Sequence, residues 1–126
     1  HFGVESTANG SRGTKGALSV SSSHLMVAPG TASVSETVGG AYLELISLQG
    51  VHSGANAVSG NFSLGASGFL CRDGQRVQPV RGITVAGNFY EMIAEIAAIS
   101  TEVSADHGRT FFAPHIRFSG LNIGGA

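Results

Sequence analysis

Charge is what this chain lacks most. Asp, Glu, Lys and Arg make up only 12% of its 126 residues, against roughly 25% in an ordinary soluble domain. Seven basic and eight acidic residues leave a net charge of −1, which argues against a protein that tracks nucleic-acid phosphates with a basic stripe. No heptads rich in Glu and Lys are present, so a coiled coil is excluded. Tryptophan is absent, which removes the usual aromatic platform of a carbohydrate-binding module. Cys71 is the single cysteine, so no intrachain disulfide can form, as suits a reducing compartment. A membrane-spanning helix needs about 20 predominantly apolar residues. The charge-free stretch Ile46 to Cys71 is broken by Asn56, Asn61 and several Ser and Gly. No basic segment leads into an apolar one as in a signal peptide.

What is present is glycine, 19 residues of it, and a hydrophobic fraction of 42%. Val, Ile, Leu and Phe are interleaved with the glycines and serines too closely for a disordered chain. The length fits one domain over residues 1–126. The first residue is His1, so the chain is expected to be a piece of a longer protein. Its low charge implies faces covered by another domain or a partner subunit.

Local signals are mostly those of strands. Gly10 to Gly16 reads as a loop. Ala17 to Val27 alternates Leu18 and Val20 with serines, as a strand with one solvated face would. Thr31 to Val38 admits a short helical turn capped by Ser33 or Ser35. Tyr42 to Leu48 reads as a largely buried strand, and Gln49 to Ser63 as a long irregular connection. Gly68 to Val80 is a β-hairpin, with Asp73-Gly74 supplying the positive φ angles of a type I′ turn. Pro79 lacks an N–H, so the returning strand is at an edge there or interrupted. Ile83 to Ala86 adds a short strand. Asn88 to Ser100 is expected to be the main helix, capped by Asn88 with Glu91 three residues on, its stripe formed by Phe89, Met92, Ile93, Ile96 and Ile99. Arg109 to Phe112 and Ile116 to Ile123 read as two strands separated by Ala113-Pro114-His115, the second closing the domain. The fold expected is a β-dominated α+β domain. Antiparallel strands form a sheet or sandwich packed around one main helix over about 88–100.

Self-contained chemistry is hard to find. The five histidines, His1, His24, His52, His107 and His115, show no metal-binding helical spacing. His107 and His115 flank a strand-like run and are the one pair the fold could unite, though solvated loop positions are the simpler reading. Gly60-Asn-Phe-Ser63-Leu-Gly65 misses the Gly-x-Ser-x-Gly elbow by one residue, and Ser63 has no evident His/Asp pair. Cys71 has no obvious base and reads as a packed thiol. Gly10 to Gly16 lacks the Gly-Lys-Ser/Thr end of a P-loop. Its Gly-Ser-Arg-Gly would have to join two helices to act as an RNA-binding KH loop, and here it precedes a strand.

The run Val58-Ser-Gly-Asn-Phe-Ser63-Leu-Gly65-Ala-Ser-Gly68-Phe is followed by Asp73-Gly74, Pro79-Val80 and Ile83-Thr-Val-Ala-Gly87-Asn88. Together they resemble the C-terminal domain of the TldD/PmbA family, also labelled modulator of DNA gyrase. Leu48-Gln-Gly50-Val51 and Phe118-Ser-Gly-Leu-Asn-Ile-Gly124 fit the same pattern, and the resemblance runs from about Gly3 onward. It implies a cytoplasmic peptidase system in which a TldD-like and a PmbA-like (TldE) subunit form a heterodimer enclosing a cavity where unfolded or leader-type peptides are cut. In the TldD-like subunit, the resemblance implies, a His-Glu-x-x-x-His helix and a C-terminal-domain cysteine hold zinc, leaving one position for water. This chain has neither that helix nor a cysteine within Asp106 to Pro114.

The resemblance is therefore to the PmbA/TldE side. It implies no metal and no catalytic residue in this chain, with zinc on the TldD-like partner. The expected role is part of the chamber wall and subunit interface, through pairing with that partner or self-association. The family-motif residues Gly60, Asn61, Ser63, Gly65, Gly68, Gly87 and Asn88 are the candidates for peptide or subunit contact. Asn61 stands where such proteins commonly carry Asp. The alternatives are a stand-alone β-rich module that binds a ligand or protein without enzymatic activity, and a gyrase-associated or nuclease protein. The neutral charge disfavours direct nucleic-acid binding.

Overall fold

The computed structural model of the chain describes Gly3, Glu5 and residues Thr7 to Gly125. His1 lies outside the described residues. A small outlying hairpin comes first, β1 (Gly10–Arg12) with β2 (Leu18–Val20), so the expected Gly10–Gly16 loop begins as a strand. Leu18 and Val20 are both exposed, and the strand expected over Ala17 to Val27 is split, β3 covering only Leu25–Met26. Next comes α1 (Val34–Thr37), one turn closed by a capping box between Ser33 and Glu36.

The centre is a four-stranded antiparallel sheet. It is built from β4 (Ala41–Gln49), β5 (Asn61–Arg72), β6 (Gln75–Asn88) and β9 (Asn122–Gly124), in that order. β5 and β6 form one long hairpin whose turn has Asp73 at φ 47° and Gly74 at φ 80°, the angles a type I′ turn requires. Pro79 breaks no pairing on the outer side of β6, because β9 joins β6 only at Thr84 to Ala86. Leu64 and Ala66 of β5 and Ile83 and Val85 of β6 point to one face and form the buried core, with Leu43, Phe62, Val80 and Leu121 packed on it. Asn61, Ser63 and Gly65 alternate onto the solvent face.

The segment from Gln49 to Ser63 is shorter as a connection than expected. It holds α2 (Val51–Gly54), one turn starting from Gly50 at φ 80°, and ends where β5 begins. A larger correction concerns the helix expected over 88–100. Asn88 does cap a helix, but α3 spans only Phe89–Ala94, and β7 (Ile96–Ala105) follows after Glu95. The β-branched Ile96, Ile99, Thr101 and Val103 suit a pleated strand, and β7 pairs with β8 (Phe111–Phe118). That pairing also overturns the expected break at Ala113-Pro114-His115, since all three residues lie inside β8. Pro114 is tolerated because β3 pairs β8 only at Phe111 and Phe112, leaving no ladder on that side. The resulting sheet, β3-β8-β7, contains a parallel strand pair, β3 with β8, and a parallel bridge between Ala32 and Ser100 lies beside it on β7.

Arg117 on β8 ties the two sheets together. Its guanidinium donates to the carbonyls of Thr37 (3.3 Å), Gly39 (2.6 Å) and Ala41 (3.3 Å), at the end of α1 and the start of β4. Ser100, fully buried, accepts from the His115 N–H (2.9 Å) and donates to the Glu102 carbonyl (3.0 Å), where the β7–β8 register shifts.

Candidate functional site

The family-motif residues fall into two groups. Gly60, Asn61, Gly87 and Asn88 meet at one end of the long hairpin, where Asn61 pairs with Asn88 and Phe62 with Gly87. Ser63, Gly65 and Gly68 are strung along β5, so Gly68 lies about 24 Å from Asn61 along the strand. The motif is therefore not one cluster.

At the hairpin end, Asn88 does most of the joining. Its side-chain oxygen accepts from the N–H groups of Tyr90 (3.0 Å) and Glu91 (3.4 Å), capping α3. Its amide nitrogen donates to the Ser59 carbonyl and to Asn61 Oδ1, both at 2.9 Å. Gly60 sits at φ +79°, and a Cβ there would run into the Tyr90 ring. Its carbonyl accepts from the Phe89 N–H at 2.7 Å. At Gly87 a Cβ would meet Leu121 and Phe62, and at Gly68 it would collide with the Glu44 carbonyl. The fold itself requires glycine at positions 60 and 68, whereas at 87 the end of the flexible Leu121 side chain would have to move aside. Gly65 differs, because a Cβ there would make only an ordinary 3.7 Å contact with Gln49, and its φ is not in the left-handed region.

Two regions were not found by sequence reasoning. One is a cavity of about 560 Å³ at the α3 end of the four-stranded sheet. Its floor is Leu64 and Val85, both buried, and its rim carries Leu45, Leu48, Val51, Phe89 and Tyr90, all exposed. Five of the six residues of α3 are apolar or aromatic (Phe89, Tyr90, Met92, Ile93, Ala94), yet none is buried.

The other region is a polar cluster beside Cys71. Arg76 holds Glu44 with two hydrogen bonds, Nε to Oε2 at 2.7 Å and Nη2 to Oε1 at 3.0 Å, while its guanidinium stacks 4.4 Å above the Phe69 ring. These bonds from Arg76 hold the Glu44 carboxyl below the usual carboxylate range. Burial, then the neighbouring Cys71, pushes the Tyr42 hydroxyl up. The Cys71 thiol is buried and lies 3.7 Å from Glu44 Oε2 and 3.5 Å from the Phe69 carbonyl.

None of this assembles a catalytic set. Ser63 lies mid-strand on an exposed face, not at a strand-to-helix elbow. His107 is in the turn after β7, and His115 lies four residues along β8 from Phe111, roughly 13 Å in an extended strand. His24 and His52 are exposed. Among the described residues no three His, Cys, Asp or Glu side chains gather as metal ligands. The donor set needed for zinc is therefore not formed by the described residues.

The family description "PmbA/TldA metallopeptidase C-terminal domain" matches residues 1–125. The chain belongs to that family. Over 50 residues it is 38% identical to a Haemophilus influenzae protein named metalloprotease PmbA homolog, and 36% identical to metalloprotease PmbA of Escherichia coli O157:H7. Each match covers 40% of this chain and 11% of the relative. A Thermotoga maritima MSB8 protein of solved structure, described as a modulator of a DNA gyrase, superposes with a TM-score of 0.67 at 29% identity, over 79% of this chain and 23% of that one. The chain thus spans a small part of each relative. No helix among the described residues is long and apolar enough to cross a membrane.

Proposed function

We propose that this domain is the C-terminal part of a PmbA/TldE-like subunit in a cytoplasmic, two-subunit metallopeptidase. It does not cut peptides. It lines the chamber and the subunit interface, while zinc and the attacking water belong to a TldD-like partner that degrades unfolded or leader-type peptides. Family membership supports the setting, and the lack of a cysteine in Asp106 to Pro114 supports the non-catalytic side.

Gly65 carries the interface reading. Its neighbours on the exposed face of β5 and β6 are small or short (Ser63, Thr84, Ala86), Gln49 flanks it on β4, and the fold makes no demand for glycine at that position. A bare strand face of this kind lets another backbone approach closely. In the intact protein, Gly65→Val should leave folding stability nearly unchanged, since valine suits a strand, and should weaken pairing with the TldD-like subunit at least tenfold. Unchanged pairing affinity by calorimetry would overturn the reading.

A further inference from the structure

The chain contains two bonds at which an Asn or Asp precedes glycine, Asn9-Gly10 and Asp73-Gly74. Such bonds share one chemical weakness. Glycine has no Cβ to shield its main-chain nitrogen, so that nitrogen can attack the preceding side-chain carbonyl carbon and close a five-membered ring. The fold treats the two bonds differently.

At the tip of the β5–β6 hairpin both reacting groups are engaged. Asp73 Oδ1 accepts from the Gly40 N–H at 2.7 Å, and the Asp73 N–H donates to the Gly40 carbonyl at 2.9 Å. The Gly74 N–H, which would have to attack, donates to the Val38 carbonyl at 3.1 Å. Ring closure there requires the tip of the central hairpin to come away from the segment joining α1 to β4.

Asn9-Gly10 has no such restraint. The Asn9 carbonyl accepts from the Ser21 N–H at 2.9 Å, and the register continues through Gly10–Val20 and Ser11–Ser19. Bonded and non-bonded pairs alternate along an antiparallel ladder. Asn9–Ser21 is a bonded pair, so Gly10–Val20 is a non-bonded one, and the Gly10 N–H points away from β2. Among the described residues β1 pairs with no strand on that other side. Asn9 Nδ2 donates to Thr7 Oγ1 over a long 3.3 Å, between exposed groups. A two-stranded hairpin whose Leu18 and Val20 are exposed has no core to hold it shut, so its opening costs little.

From this contrast we infer that Asn9-Gly10 is a site of spontaneous deamidation, yielding aspartate and isoaspartate at position 9, while Asp73-Gly74 is held inert. The Gly10 nitrogen gives its proton to hydroxide and bonds to Asn9 Cγ. The Cγ–Nδ2 bond breaks, and ammonia leaves with a proton from water. A second water opens the ring. Cleavage of the ring nitrogen from Cγ gives aspartate, and cleavage from the Asn9 main-chain carbonyl gives isoaspartate. The sum is one water consumed and one ammonia released, with nothing oxidised or reduced. Either product adds a negative charge to a chain of net charge −1. Isoaspartate also inserts a methylene into the main chain, which throws the Asn9–Ser21 pair out of register.

The test follows heavy oxygen from labelled water into the intact protein in near-neutral buffer, because ring opening at either bond takes up one oxygen from water. Each bond is compared with itself in guanidinium, where both react. Peptide mass mapping should show Asn9 labelled within about tenfold of its unfolded rate, and Asp73 at least about 100-fold below its own. The residue 9 product should also separate into two species of equal mass, one of them methylated by an isoaspartate-specific methyltransferase. Gly10→Ala should slow the reaction at least about tenfold by hindering the nitrogen. It should leave the hairpin unchanged, since a Cβ there meets nothing within 4 Å and φ is not in the left-handed region. Asn9 as strongly protected as Asp73 in the folded protein would overturn the assignment, as would Gly10→Ala reacting at the parent's rate. Asp73 labelling at its unfolded rate would refute the protection ascribed to the hairpin tip.

Discussion

Asn88 donates from its side-chain nitrogen to Asn61 Oδ1 at 2.9 Å, across the end of the β5–β6 hairpin, while its oxygen caps α3. One side chain thus joins two strands to the helix beside the cavity, and the two motif residues act structurally first. Asn88→Ala should cost about 0.5–2 kcal/mol, the range for losing an N-cap, and chemical denaturation would show it. Asn61→Asp should be tolerated within about 0.5 kcal/mol, because a carboxylate accepts the same hydrogen bond. A large loss from Asn61→Asp would mean that the Asn88 amide is oriented the other way.

The glycines separate by what stands in front of them. Gly68→Ala places a methyl against the Glu44 carbonyl across the β4–β5 pair and should destabilise by roughly 3 kcal/mol, the upper end for overpacking. Gly65→Ala should be neutral or stabilise by up to about 1 kcal/mol through the unfolded chain. Equal thermal shifts for the two variants would refute this division.

Much of the hairpin could be read from sequence because its signals are local. Asp73-Gly74 fixes the turn, Pro79 marks an edge, Ser33 caps α1 and Asn88 caps α3. The end of α3 was not legible. Phe89, Ile93 and Ile96 keep helical spacing across the boundary, and what makes Ile96–Ala105 a strand is pairing with β8, which sets Ile96 opposite Phe118. Pro114 misled for the same reason, since whether a proline interrupts a strand depends on where β3 stops. The cavity draws on β4, α2, α3 and β8, so no single segment could announce it.

Acid should weaken the fold through a small set of carboxylates. Glu44 is held below its ordinary value of 4.5 chiefly by the hydrogen bonds from Arg76, and Asp106 is lowered by the N–H groups of Phe111 and Thr110. For groups depressed in the folded state, the added stability is complete above the unfolded value and disappears as pH falls through the folded one. The stability gap between the parent and Glu44→Gln should therefore be widest near neutral pH and close below about pH 4.5. With both partners partly exposed, the gap should amount to a few degrees of melting temperature at most. A gap constant from neutral to acid pH would show that the carboxylate charge contributes nothing.

Cys71 offers a probe of how far this core opens. Its thiol is 1% exposed and sits between Tyr42 of β4 and Arg76 of β6, its register partners on either side. A thiolate-dependent reagent can reach it only when β4 parts from β5 or the whole sheet unfolds. Labelling with a bulky disulfide reagent in native buffer should run at least about 100-fold slower than for the unfolded chain in guanidinium. The variant Gly68→Ala, which strains the same strand pair, should speed it. If the native rate equals the unfolded one, the β4–β5 ladder is not closed around the thiol. If Gly68→Ala lowers the melting temperature without changing the labelling rate, the strain is relieved elsewhere than in that ladder.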